Sequence, residues 1–145
     1  MSKVIEIHRR GTFSVEEAQQ LIPILNRMTQ NYVQVVERIM TQLESLSSEN
    51  FERIAELESK INKDIAAWHS KVKKLGGIPK GLWIVNLDSG NGYFSWQHGE
   101  TQLMYWQNYS QSFKERQPLH QMPKLENLDK EKSVVEDDSV VSPLL

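Results

Sequence analysis

Between residues 14 and 75 the apolar positions recur at alternating spacings of three and four, the pattern of a helix packed along its length on another helix. In the first part of this segment the repeating positions are Ile22, Leu25, Thr29, Tyr32, Val36, Ile39, Leu43 and Leu46. In the second part they are Phe51, Ile54, Glu58, Ile61, Ile65, Trp68, Val72 and Leu75. Only Thr29 and Glu58 depart from the apolar rule, so the pattern predicts two long helices.

Local signals mark where each helix begins and ends. Ser14 and Glu17 form a Ser-x-x-Glu capping box before the first helix, and residues 45–50 have the polar composition of a connection. The glycine pair 76–77 ends the second helix. Because the connection is short, the two helices should be antiparallel neighbours, which makes a helical hairpin. Pro23 lacks a backbone N–H, so we expect a kink there or a break between a short and a long helix.

After the glycine pair the apolar period changes to two, which is typical of β-strands. Apolar runs at 82–85, 93–96 and 103–106 alternate with turn-forming residues and predict an antiparallel meander. Val4–Ile7 is a candidate fourth strand along an edge, and we expect 107–119 to be irregular or briefly helical. The predicted fold class is α+β, a long antiparallel two-helix hairpin with a small three- or four-stranded antiparallel sheet at its open end.

Composition and charge limit the possible functions. Residues 1–119 carry fourteen Lys or Arg and thirteen Asp or Glu, which leaves no strong field for a polyanion. Residues 120–145 hold three Lys, six Asp or Glu and no aromatic residue, so we predict a mostly disordered acidic tail after one domain. The absence of cysteine excludes disulfides and thiolate zinc sites. With no signal peptide and no run of ~20 apolar residues, we expect a cytoplasmic protein that does not bind membranes.

Several segments resemble a known sequence family. They are Gly11–Ala18, Leu21–Leu25, Gly81–Leu82, Tyr93–Glu100, Tyr105–Trp106 and Phe113–Leu119. Their pattern is similar to the prokaryotic domain-of-unknown-function family 2203 over residues 11–119. The Trp-x-x-Gly-Glu block at 96–100 and the Arg-Gln-Pro block at 116–118 are its most specific parts. The resemblance implies no settled activity.

The family pattern also has an Asp after the Gly-Leu pair, a Cys before the first motif Trp and a His after the second. At those positions this sequence has residues around Trp83–Ile84, then Ser95 and Gln107, none of which is a usual metal ligand. The resemblance therefore implies a possible Asp/Cys/His/Glu metal set of which this chain retains only Glu100.

The sequence carries none of the common catalytic signatures. It has no phosphate-binding glycine loop, no nucleophile elbow and no His-Glu-x-x-His helix, and its four histidines are scattered. We therefore expect no cofactor, no metal and no catalytic residue, and a degenerate enzyme site around His98, Glu100 and Arg116 is only a third hypothesis. A more ordinary interpretation is that Glu100 pairs with Arg116 or caps its turn.

Basic and aromatic residues at the sheet end are the case for nucleic-acid binding. The hairpin should gather there Arg9, Arg10, Lys71, Lys73, Lys74, Lys80 and Lys114, with Arg116, while the tip is rich in Glu. The candidate functional surface at this end comprises Trp83, Trp96, His98, Glu100, Trp106 and Arg116. Aromatic rings among cations stack on bases, but rings in a small domain ordinarily form its core. We favour the core interpretation and keep nucleic-acid binding as the alternative.

The first helix has more apolar surface than one partner helix covers. Met28 and Val35 lie on one flank of its repeating positions, and Val33 and Met40 lie on the other. A wide apolar stripe indicates a third or fourth helix, which a second copy would supply. The first hypothesis is therefore a non-catalytic, homodimeric interaction protein whose sheet end docks an unknown protein partner.

Overall fold

The computed structural model describes residues 11–123 and has the predicted α+β architecture. Two helices, α1 (Val15–Glu44) and α2 (Phe51–Lys74), precede five strands. The strands are β1 (Ile78–Pro79), β2 (Ile84–Asp88), β3 (Tyr93–Gln97), β4 (Tyr105–Gln107) and β5 (Gln117–Pro118), all antiparallel and in sequence order across one sheet. Short 3₁₀ turns occupy Phe113–Glu115 and Leu119–Gln121. The predicted hairpin with a sheet beside its open end is confirmed.

The start of α1 follows from its capping box. The Ser14 N–H donates to Glu17 Oε1 at 2.7 Å, and the Glu17 N–H donates to Ser14 Oγ at 3.1 Å, so two backbone donors of the first turn are satisfied. The helix then runs without interruption through Pro23 to Glu44. Of the two predicted alternatives at Pro23, a kink or a break, the break is therefore wrong, because the surrounding turns keep the helix continuous despite one missing hydrogen bond.

The two polar members of the apolar repeat have different explanations. Thr29 is fully buried because its hydroxyl oxygen accepts the indole N–H of Trp68 at 2.9 Å, a contact that ties α1 to α2. Glu58 is exposed, and the neighbouring Leu57, at 4% exposure, takes the buried position. Phe51 was predicted to belong to the repeat and is 75% exposed. That prediction is wrong because Phe51 opens α2 at the hairpin tip, where α1 does not cover it.

The sheet has five strands within the described residues, not three or four. The two additional strands, β1 and β5, are two residues long, lie at the edges and contain Pro79 and Pro118. Proline is tolerated on an edge because its missing N–H faces away from the ladder. Two central strands also shift, since β2 continues to Asp88 and β4 begins at Tyr105. The candidate strand Val4–Ile7 lies outside the described residues.

One face of the sheet and the base of the hairpin form a common core. Val85, Leu87, Phe94, Trp96 and Trp106 pack with side chains of both helices, among them Ile22, Leu25, Trp68 and Val72, and all are at most 5% exposed. The core continues past residue 119, because Leu119 and Met122 pack against it while partly buried. The remainder of the predicted acidic tail lies outside the described residues.

Candidate functional site

The turn at Gln97–Glu100 joins the sheet to α1, and Glu100 is its centre. The Glu100 carboxylate accepts the Gln97 N–H at 3.0 Å, while its backbone carbonyl accepts both the indole N–H of Trp96 and the side-chain amide of Asn26, each at 2.9 Å. The carboxylate and the backbone carbonyl of Glu100 are thus both hydrogen-bonded within the protein. These bonds also fix the position of β3 relative to α1.

Arg116 completes this cluster by forming an ion pair with Glu100. Its Nη1 lies 3.0 and 3.2 Å from the two carboxylate oxygens, and both side chains are only 13–14% exposed. The guanidinium also stands 4.0 Å from the ring centroid of Tyr105 and 3.9 Å from that of Phe113. The expected pairing of Glu100 with Arg116 is confirmed. Neither charge is free to act on a substrate in this arrangement.

His98 and Trp83 lie beside this turn with contacts of their own. His98 Nε2 is 2.7 Å from Gln30 Oε1 of α1, and its backbone N–H donates to the Trp83 carbonyl at 2.9 Å. Trp83 packs edge-on against Trp68 with centroids 5.0 Å apart, and its backbone has a positive φ of 64°. A left-handed conformation at a bulky residue costs roughly 1–3 kcal/mol. The packing on Trp68 holds the 80–83 loop in this strained form.

The remaining aromatic residues do not form a platform for stacking bases. Trp96 is fully buried and Trp106 is 5% exposed, both on the helix-facing side of the sheet. The exposed cations near this end are Lys71, Lys73, Lys74, Lys80 and Lys114, whereas Arg9 and Arg10 lie outside the described residues. The indoles of Trp96 and Trp106 therefore form core, as the favoured interpretation has it.

The four predicted interface residues of α1 differ in how far the chain itself covers them. Val33 is 6% exposed within a single chain, Met28 and Val35 are half-buried, and Met40 is 46% exposed. Met28 also packs against the common core. Only Met40 of the four therefore offers a large apolar surface to a partner.

The outer face of the sheet, turned away from the helices, is polar and yet buried. Side chains alternate between the two faces of a strand, so the outer face carries Asn86 of β2, Ser95 of β3 and Gln107 of β4. These are 3%, 0% and 3% exposed. Asn86 and Ser95 are directly paired across β2 and β3, and Gln107 lies diagonally from Ser95. Three buried polar side chains thus form a row across the sheet.

A pocket of about 400 Å³ opens beside this row. Its walls come from the β1–β2 loop, the outer face and the segment after β4: Lys80, Gly81, Ile84, Asn86, Gln107, Ser110, Gln111, Ser112 and Phe113. The Gln107 amide group donates to the backbone carbonyl of Gln111 at 2.7 Å, which orients the side chain. Its Oε1 is buried without a hydrogen-bond partner among the described residues, and so is Ser95 Oγ. Buried polar atoms normally have partners.

Beyond the other end of the outer face, Tyr109 closes over β2 and β3. Its hydroxyl donates to Asp88 Oδ1 at 2.7 Å, and its ring packs edge-on against Tyr93 with centroids 5.0 Å apart. Partial burial raises the pKa of the Tyr109 phenol above its usual range, and the hydrogen bond and charge of Asp88 raise the pKa further. The phenol therefore stays a protonated donor, which anchors the segment that forms one wall of the pocket.

Comparison with known families gives one match. The family described as "Uncharacterized conserved protein (DUF2203)" matches residues 11–119. The chain belongs to this family. Comparison with curated proteins finds no match, and comparison with solved structures finds none either. The DUF2203 description names no activity.

Of the positions in the metal set that the family pattern implies, Ser95 and Gln107 lie on the outer face of the sheet in this DUF2203 chain. The carboxylate of Glu100 is paired with Arg116. Within residues 11–123, no three His, Asp or Glu side chains come close enough to share a metal ion. Neither helix of this stretch has a window apolar and long enough to span a bilayer.

The polar row and pocket were not predicted from the sequence, although a signal was present. Residues 85–88 and 94–97 alternate apolar and polar side chains, which places one polar set on a common face. What the sequence did not indicate is that the segment after β4 folds over this face and buries it.

Proposed function

We propose that this DUF2203 chain is a non-catalytic interaction protein whose hairpin tip is covered by a second copy and whose outer sheet face stays free for a further partner. The tip comprises residues 40–56. None of these residues is buried: Met40 is 46% exposed, Phe51 is 75% exposed, and Leu43, Leu46 and Ile54 are half-buried. This under-covered apolar tip is the observation that carries the proposal.

A row of residues along α1 supports the proposal that a second copy covers the tip. Gln19, Asn26, Val33 and Met40 recur every seven residues on one flank of the helix. Where the sheet covers this flank the row is polar and bonded, since Gln19 Oε1 accepts the Leu103 N–H at 2.7 Å and Asn26 donates to the Glu100 carbonyl. Beyond the sheet the row becomes apolar, and its last member, Met40, is 46% exposed, whereas Val33 is already buried within one chain. Apolar residues at heptad spacing favour contact with another helix.

The charges along α2 favour a second copy as that cover. Residues 51–58 hold three Glu and one Arg, a net charge of −2, whereas residues 59–74 hold five Lys and one Asp, a net charge of +4. Antiparallel pairing of α2 with its own copy sets each negative half against a positive half. Such complementarity steers association and fixes orientation, and a twofold axis repeats the contact in both copies.

The contacts of Arg116 and Glu100 weaken the two alternatives. For nucleic-acid binding, the guanidinium of Arg116 is held by Glu100 and two rings, and the buried indoles of Trp96 and Trp106 cannot stack on bases. For an enzyme site, the Glu100 carboxylate already accepts from Arg116 and from the Gln97 N–H. A base or acid needs a free position in the pocket it serves.

Sedimentation of matched double variants tests the proposal. Met40→Ser with Phe51→Ser removes the apolar tip, whereas Val15→Ser with Ile24→Ser removes side chains that are 37% and 44% exposed at the base. The wild type and the base variant should sediment as dimers, and the tip variant should sediment as a monomer at the same concentration. A monomeric wild type, or equal loss of mass in both variants, would contradict the proposal.

A further inference from the structure

The pocket on the outer face of the sheet has the properties of a ligand site. Gln107 is 97% removed from solvent, lines the pocket and has an acceptor oxygen without a partner. Because the Nε2 of Gln107 donates to the Gln111 carbonyl, the side-chain oxygen Oε1 is the atom left without a partner. Leaving a buried acceptor unbonded is costly, so a molecule that brings a hydrogen-bond donor would be favoured there.

The charge of the pocket indicates which second polar group the ligand carries. Lys80 is the one charged residue among the described residues that line the pocket, and it lies in the loop that the strained Trp83 holds in place. The other walls are amides, serine hydroxyls and the apolar side chains of Ile84 and Phe113. Because no carboxylate side chain lines the pocket with Lys80, its charge favours an anionic group there.

We propose that this pocket binds a small carboxylate that also carries a hydroxyl or amino donor, with the carboxylate at Lys80 and the donor at Gln107 Oε1. A volume of about 400 Å³ accommodates a molecule of this size. The apolar wall formed by Ile84 and Phe113 would cover the carbon atoms of the ligand. The site extends the proposed function, because it lies on the outer face of the sheet, which pairing of the two hairpins leaves free.

Amide NMR of the full-length protein tests the site with matched probes. Lactate, malate and glutamate each carry a donor beside the carboxylate, and propionate, succinate and glutarate are their counterparts without it. At least one of the donor-bearing acids should shift the side-chain amide signals of Gln107. It should bind about fivefold or more tightly than its counterpart, because one hydrogen bond to a buried acceptor is at stake. Gln107→Met should abolish that preference.

The charge is tested by a pair of lysine variants. Lys80→Met should weaken binding about tenfold, since a charge-assisted contact is lost. Lys114→Met is the control, because Lys114 is exposed beside Phe113 but does not line the pocket, and it should leave affinity unchanged. The proposal is overturned if no probe moves the Gln107 signals, if paired probes bind equally, or if both lysine variants behave alike.

The tip variant of the proposed function separates the two claims. Met40 and Phe51 do not line the pocket, so Met40→Ser with Phe51→Ser should bind the same probe with wild-type affinity. A monomer that still binds supports the site whatever becomes of the dimer. Loss of binding in that variant would contradict a site carried by the sheet alone.

Discussion

The base and the tip of the same hairpin differ in how completely their apolar side chains are covered. At the base the two helices pack on a third layer, the sheet, and Ile22, Leu25, Trp68 and Val72 are all completely buried. At the tip the helices have only each other, and no residue between 40 and 56 is buried. A two-helix hairpin with apolar stripes of this width is therefore complete only where a further layer covers it.

Each kind of interaction in the base has a counterpart at the tip, which allows paired mutations. The largest difference in stability is expected between variants of Trp68 at the base and Phe51 at the tip. Trp68→Ala should lower the free energy of unfolding by about 3–5 kcal/mol, because it leaves a cavity in the common core. Phe51→Ala should change it by less than about 0.5 kcal/mol in the monomer. Urea denaturation at low protein concentration measures both, and similar losses would remove the distinction between base and tip.

The ion pairs give the second contrast. Glu100→Gln should destabilise the fold by about 3 kcal/mol, because it leaves the buried Arg116 charge unpaired. At the tip, Arg53 and Glu56 are paired at 3.1 Å with 54% and 68% of their side chains exposed, and Glu56→Gln should cost at most about 1 kcal/mol. The double variant Glu100→Gln with Arg116→Met serves as a control and should recover part of the loss. Equal effects at both ends would mean that Glu100 is better solvated than its contacts indicate.

How much of the fold could be predicted from the sequence depends on how far apart in the chain the interacting residues lie. The hairpin, its N-terminal cap and the central strands follow from local spacing, such as Ser14 with Glu17 and the repeat from Ile22 onward. The edge strands were missed because two residues that include a proline carry no periodic signal. The exposure of Phe51 was missed because its spacing fits the repeat while its position at the tip removes the neighbours.

The candidate pocket could not be predicted from the sequence, for a related reason. The polar positions Asn86 and Ser95 were visible as an alternating pattern, and the pairing of Glu100 with Arg116 followed from the rule that a buried carboxylate needs a partner. The unbonded acceptor of Gln107, however, depends on where the backbone of Gln111 lies after the chain returns across the sheet. Contacts of that kind are set by the tertiary fold and not by local spacing.

The third contrast concerns two threonines on α1. Thr29→Val keeps the shape but leaves the Trp68 indole N–H without an acceptor inside the core, which should cost about 1–3 kcal/mol. The Thr41 hydroxyl donates to the Glu37 carbonyl at an exposed position of the same helix, and Thr41→Val should be nearly neutral. Thermal unfolding of the two variants side by side measures the difference. If Thr29→Val melts with the wild type, the hydrogen bond to Trp68 does not stabilise the helix pair.

The smallest contrast is between the two helix starts. Ser14→Ala removes the capping box of α1 and should cost about 1 kcal/mol. Asn50 precedes α2 at the tip without a side-chain capping bond, so Asn50→Ala should have little effect. Circular dichroism melts resolve a difference of this size. A larger loss for Asn50→Ala would show that the tip helix depends on its cap more than the base helix does.

The claim that a second copy covers the tip in an antiparallel arrangement is tested most directly by distances between two copies. The chain has no native cysteine, so Ser59→Cys and Lys73→Cys, both at exposed positions of α2, each accept one spin label per chain. Pairing centred on α2 predicts a short distance between copies for position 59 and one roughly 20 Å longer for position 73, at ~1.5 Å per helical residue. Equal distances at the two positions, or no distance between copies at either, would contradict the account.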